Sequence, residues 1–112
     1  MESNRKCTDE ELRLIEFLAS KADYHLDDDW KEHVWAHPLT GDAIGSIGIL
    51  MNKNDCYKSK CSHVVSDCTF HDSDNMDVVA YLLADSEDNL YELDLWKCDY
   101  SMINKIPNKS FE

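Results

Sequence analysis

The chain has 112 residues, with 11 Lys and Arg against 23 Asp and Glu, so its formal charge is −12. That balance opposes direct binding of nucleic acid or of an anionic membrane, because charge attraction normally dominates both. Leu, Ile, Val and Phe make up 25 residues, enough for one modest core, and the whole chain, 1–112, reads as a single domain.

No stretch approaches the ~18 apolar residues of a membrane span. Residues 1–8 are polar where a secretory leader would be apolar, so a soluble cytoplasmic protein is expected. The first predicted element marks its own start. Thr8-Asp9-Glu10-Glu11 has the S/T-x-x-E form of a capping box, in which a hydroxyl and a carboxylate each satisfy a free backbone amide. The three acids also suit the positive end of a helix. Leu14, Ile15, Leu18 and Ala22 follow at helical spacing with Phe17 beside them, predicting a helix with one buried face that ends near Lys21.

Asp27, Asp28 and Asp29 repel one another and suit a loop or a cap. Over 30–39 the pattern is mixed and Pro38 closes it, which fits either an edge strand or a short second helix; Trp30 and Trp35 read most simply as core. All three glycines, Gly41, Gly45 and Gly48, lie within eight residues and predict tight turns or a close backbone approach before a strand over 46–52. Residues 52–60 are polar and read as a flexible loop. Strands are then predicted over 64–70, 78–84 and 90–98, separated by Asp72-Ser73-Asp74-Asn75 and Asp85-Ser86-Glu87-Asp88-Asn89, an antiparallel meander. The stretch 78–84 is apolar on both faces and reads as the central strand. In the last strand Tyr91, Leu93 and Leu95 share one face while Glu92 and Asp94 share the other. After Asn104 the tail is polar and reads as frayed. The expected fold is α+β: an N-terminal helix packed on a four- to five-stranded, mainly antiparallel sheet with a C-terminal meander.

Five cysteines are present, an odd number that predicts reduced thiols; Cys7 and Cys98 read as small buried residues. Cys56, Cys61, His63, Cys68 and His71 place five zinc-type ligands within sixteen residues and are the candidate metal site. Their gaps do not form the usual paired knuckles, so two loop thiols and a buried strand cysteine are the simpler reading; no cofactor is expected, with zinc binding as the alternative. His33 and His37 lack the Glu of a H-E-x-x-H helix and read as surface histidines. Asp72, Asp74 and Asp77 begin like a calcium loop, but its sixth and twelfth positions would be Asp77 and Leu83.

Cys61 and His63 have no evident third group to orient them as a nucleophile and base. Hydrolysis by Glu92, Asp94 and Asp99 is disfavoured, since Glu92 and Asp94 on a solvated strand face would keep ordinary pKa values. No enzyme is expected. The charge pattern is more telling: between Lys60 and Lys97 there are nine acids and no Lys or Arg. Such a one-signed face suits docking of a basic protein, with Tyr57, Trp30 and Trp35 as apolar anchors if exposed.

At Tyr91-Glu92-Leu93-Asp94-Leu95-Trp96-Lys97-Cys98-Asp99-Tyr100 the chain resembles the E-L-D-hydrophobic-W-K-x-D-[FY] ending of a family of small uncharacterised bacterial proteins, a domain of unknown function. Lys6-Cys7-Thr8-Asp9-Glu10-Glu11-Leu12, Leu14-Ile15, Gly45-Ser46 and Phe70-His71-Asp72-Ser73-Asp74 are similar too, in the same order; Asn75 stands where that family tends to have Gly, and Asn tolerates φ > 0. The resemblance implies a shared α+β fold and brings no catalytic residue. In the motif Leu93 and Leu95 are expected inward, Glu92 and Asp94 outward, and Trp96 at the sheet edge. Glu92, Asp94, Trp96, Lys97 and Asp99 are the candidate partner-binding residues. The expected function is non-enzymatic binding of a basic protein, as an immunity protein or small inhibitor does, with monomer and dimer both open.

Overall fold

The computed structural model describes residues 4–39, 45–58, 61–99 and 103–107. The elements are β1 (Arg5–Lys6), α1 (Asp9–Lys21), α2 (Trp30–His33), β2 (Trp35–Pro38), β3 (Ile47–Leu50), β4 (Ser62–His71), β5 (Asp77–Asp85) and β6 (Leu90–Lys97). The strands form one six-stranded sheet in the order β1-β2-β3-β6-β5-β4, antiparallel at every pairing. The fold is α+β. There are more strands than the expected four or five because β1 and β2 have only two and four residues, too few to leave an alternation in the sequence. Residues 30–39 hold both expected alternatives, one helical turn followed by a strand.

The capping box at the start of α1 is complete: the Glu11 amide donates to the Thr8 hydroxyl at 3.1 Å, and the Thr8 amide donates to Glu11 Oε1 at 2.9 Å. The same buried carboxylate takes two bonds of 2.9 Å from the Arg5 guanidinium. That fork ties β1 to the helix and compensates the charge that burial would otherwise strand. Leu14, Ile15, Leu18 and Ala19 are fully buried and share one core with Ile47, Val78, Ala80, Leu82 and Leu93, and α1 touches β4 and β5. Ala22 is the exposed C-cap rather than a core residue. Trp30 is buried in the core, whereas Trp35 is half-buried with the Lys6 ammonium 4.7 Å from its ring centroid.

The meander forms as the turn chemistry predicts, and β5 is flanked on both sides. Asn75 and Asp88 have φ of 68° and 65°, the left-handed region that Asn and Asp tolerate in tight turns. Two bulges interrupt the ladder. One is at Val65, between Val64 and Ser66; in the other Leu83 and Ala84 of β5 face Glu92 and Leu90, leaving Tyr91 as the extra residue.

Asp72 is the buried node of the C-terminal half. Its Oδ1 accepts from the amides of Ser73 at 2.7 Å and Lys105 at 2.9 Å. Its Oδ2 accepts from the Asn104 amide at 2.7 Å and lies 2.9 Å from the Lys97 ammonium, which also donates to Asp74 at 2.6 Å. The tail expected to fray is held as far as Pro107, with Ile103 and Ile106 buried and Arg13 donating to the Pro107 carbonyl at 3.2 Å; residues 108–112 lie outside the described residues. Cys98 is exposed rather than buried, because β6 ends at Lys97 and its alternation ends with it.

Burial alone would raise the Asp72 pKa, but the bonds from Asn104, Lys97, Ser73 and Lys105 outweigh it and hold the carboxyl down to about 2. Replacing Asp72 by Ala leaves those donors unpaired and should cost about 3 kcal/mol at neutral pH. A depressed pKa stabilises fully above the unfolded value of about 4. This contribution is lost as pH falls to about 2. Urea unfolding should therefore show the gap between wild type and Asp72→Ala closing in acid; a gap as wide in acid as at neutral pH would contradict this account.

Candidate functional site

The sheet has two unlike faces. Ser66, Cys68 and Phe70 of β4 stand opposite Leu82, Ala80 and Val78 of β5, which in turn face Leu93, Leu95 and Lys97 of β6; all nine are buried. The intervening positions make the outer face: Val64, Asp67 and Thr69 on β4, Val79, Tyr81 and Leu83 on β5, and Glu92, Asp94 and Trp96 on β6. Among the described residues this face stays open on the β4–β6 side. Trp96 keeps 54% and Val64 52% of their surface, and Val79, Tyr81 and Leu83 are half-exposed.

On the other side the outer face is covered by residues 51–58. Tyr57 lies across Gly48 so closely that a Cβ there would overlap its ring. This is why the middle of β3 is a glycine. The Tyr57 ring stacks on His37 at 5.4 Å and on Tyr91 at 5.7 Å. Its hydroxyl donates to Glu92 and lies 3.1 Å from the Tyr91 hydroxyl, which donates to the Lys58 carbonyl at 3.1 Å. Asn4 pins the same loop, donating to the carbonyls of Lys53 at 2.9 Å and Asp55 at 2.7 Å, while its own oxygen meets His37 Nδ1 at 3.0 Å. The stretch expected to be flexible is thus seated through residue 58; Ser59 and Lys60 lie outside the described residues.

Tyr91 was expected to share a face with Leu93 and Leu95. The bulge in β6 instead turns it to the side of Glu92. Asp94 lies next to Glu92, and its carboxyl is raised to about 7 by burial, by the hydrogen bond it shares with Glu92 and by that neighbour's charge. The ordinary value expected for a solvated strand is therefore corrected for Asp94: it and Glu92 are half-buried on the outer face of β6. Burial and the bonds to Glu92 and Tyr91 likewise push the Tyr57 phenol up. Among the described residues no ion pair engages Glu92 or Asp94.

Of the five candidate partner-binding residues, Glu92, Asp94 and Trp96 share the outer face, with Trp96 on an interior strand rather than at the sheet edge. Lys97 points the opposite way into its buried pair with Asp72 and Asp74, and Asp99 is exposed in the turn after β6. Tyr57, Tyr91, His37 and Gly48 complete the constellation. The sequence signals Gly48 as a glycine requiring a close approach, and Tyr57 only as an anchor if exposed, whereas it is half-buried over that glycine.

The five Cys and His residues are not gathered. Cys56 and Cys61 are exposed, Cys68 is buried in the core, His63 lies 3.7 Å from Asp88, and His71 lies 2.9 Å from Asp77 at the far end of β4. The eight steps of strand from one histidine to the other span roughly 26 Å. Among the described residues no group of three or more His, Cys, Asp or Glu is placed to hold a metal ion. His33 is exposed as expected, while His37 is half-buried under Tyr57.

Residues 4–107 match a family described as a domain of unknown function, DUF6984. The chain belongs to that family. No curated protein and no solved structure matches it. DUF6984 thus covers both the node at Asp72 and the outer-face constellation, while its description assigns neither a role. Among the described residues no helix is long and apolar enough to cross a membrane.

The raised Asp94 pKa has a sign that can be read. Its stabilising contribution is complete below the unfolded carboxyl value of about 4. That contribution is lost as pH rises through about 7. Thermal melts should therefore show wild type losing more stability from mildly acidic to mildly alkaline pH than Asp94→Asn, which cannot ionise. Parallel profiles would contradict the raised Asp94 carboxyl.

Proposed function

We propose that this DUF6984 domain is a non-enzymatic interaction module that docks a basic protein on the open half of its outer sheet face, in the manner of an immunity or inhibitor protein. One observation carries the reading: an exposed Trp96 stands on the same strand face as two carboxyls, Glu92 and Asp94, that no described Lys or Arg neutralises. Exposed aromatic side chains framed by polar groups are the usual anchors of protein interfaces. Tyr81, Leu83, Val79 and Val64 extend the apolar surface around it.

Electrostatics select the partner's sign. Of the nine acids between Lys60 and Lys97, Asp72 and Asp85 are buried and Asp74 pairs with Lys97, while Asp67, Glu92 and Asp94 stand on the outer face, where their charge steers a basic protein toward it and repels acidic competitors. An arriving guanidinium or ammonium group would favour the ionised form of Asp94. The described cysteines are all free thiols, which suits the reducing cytoplasm as the compartment of action.

The test is a low-salt capture with the immobilised protein and with a variant carrying Trp96→Ala, Glu92→Gln and Asp94→Asn. These changes touch no inner-face residue, so circular dichroism should show the variant folded. The wild type should retain a basic protein that salt elutes, and the variant should retain it at least tenfold less, about the effect of losing one interface hot spot. Retention of no basic protein, or equal retention by both, would overturn the proposal.

A further inference from the structure

The two edges of the sheet differ in length: β1 has two residues and β4 has ten. A long open edge offers unpaired backbone groups to any other strand, and proteins usually blunt it with Lys, Pro or a covering element. β4 contains no Lys, Arg or Pro, and its bulge at Val65 leaves 66–71 in regular register with β5.

The hydrogen bonds fix which groups are free. The Asp67 carbonyl accepts from the Lys21 ammonium at 2.6 Å, so it points away from β5. Asp77, which faces His71, turns its carbonyl toward β6, where it accepts from the Cys98 amide at 2.9 Å. Antiparallel alternation then directs the backbone groups of Asp67, Thr69 and His71 outward, with Ser66, Cys68 and Phe70 bonded to β5.

Charge completes the description of the edge. One end of β4 brings His63 within 3.7 Å of Asp88 and the other brings His71 within 2.9 Å of Asp77, with Asp67 midway on the outer face. Among the described residues the Lys21 ammonium reaches this backbone, so a cation already occupies part of what the edge offers. A second copy would bring −12 against −12.

We propose that the edge of β4 receives an extended basic segment of the partner as a seventh strand, its main chain pairing with Thr69, His71 and the Asp67 amide and its cationic side chains meeting Asp67 and the aspartates at both strand ends. This rests on the basic-partner reading above and adds how that partner is held: by β-augmentation, in which main-chain bonds give affinity and alternate side chains give selectivity.

The probe is an end-blocked peptide of alternating Arg and Val, compared with the same peptide N-methylated at every second amide, which keeps its charge but cannot form a ladder. Each is titrated into the wild type, Thr69→Pro and Trp96→Ala. Thr69→Pro removes an amide that makes no bond within the sheet, which edge strands tolerate. The first peptide should bind the wild type at least tenfold more tightly than the N-methylated one, and than it binds Thr69→Pro, with new hydrogen-exchange protection at 67–71. The comparison between peptides on the wild type holds even if Thr69→Pro does not fold. Equal binding of both peptides would overturn strand addition, leaving the face reading intact if Trp96→Ala weakens both. Binding of neither peptide would overturn both readings. A dimer dissolved by Thr69→Pro would make a second copy the occupant.

Discussion

The ammonium of Lys97 lies inside the protein, 2.9 Å from Asp72 and 2.6 Å from Asp74, and strand geometry does the rest. With Lys97 inward, alternation puts Trp96, Asp94 and Glu92 on the opposite face of β6. A slip of one residue would move Lys97 into water and press two carboxyls and an indole into the core beneath α1. Buried ion pairs contribute little net stability compared with well-packed apolar groups; here the pair specifies register. Asp72 extends the same control by binding the amides of Asn104 and Lys105, so the hairpin turn, the end of β6 and the C-terminal segment are fixed together.

What the outer face displays follows from that register and from one bulge. The extra residue in β6 brings Tyr91 alongside Glu92, and Tyr57 closes over both from the loop above Gly48. Half of the face is thereby sealed by stacked rings and hydrogen bonds. The other half, from Trp96 to Val64, is left to solvent. The acids beside it meet no described cation because the nearest one in sequence, Lys97, is committed to the interior. An exposed apolar surface with an uncompensated negative rim is a poor resting state in water and a good match for a basic protein surface.

Much of this architecture was legible in the sequence, and the failures have physical causes. The capping box and the apolar spacing of α1 are local signals, and the structure follows them to the residue at the N-terminus. The meander was legible because Asp- and Asn-rich turns separate three strand-like runs, the middle one apolar on both faces. β1 and β2 are fixed by tertiary pairing and are too short to show a period. Tyr91 was misplaced because a bulge leaves no trace in composition, and the tail because Ile103 and Ile106 are two isolated apolar residues with no pattern between them. The Cys and His residues looked clustered only in sequence, since an extended strand carries neighbours apart by about 3.3 Å per residue. The motifs behind the family resemblance acquire a shared meaning: the 70–74 block supplies the carboxylates of Asp72 and Asp74, and the closing motif supplies Lys97 to meet them.

The most direct measurement is site-specific photo-crosslinking in cells that make the protein, with Trp96→p-benzoylphenylalanine on the open face and Ser20→p-benzoylphenylalanine on the exposed side of α1 as the comparison position. Docking through the outer face predicts a discrete adduct from position 96, formed with a basic protein, and none from position 20. Adducts from position 20 alone, or none from position 96 while the protein stays folded, would contradict it.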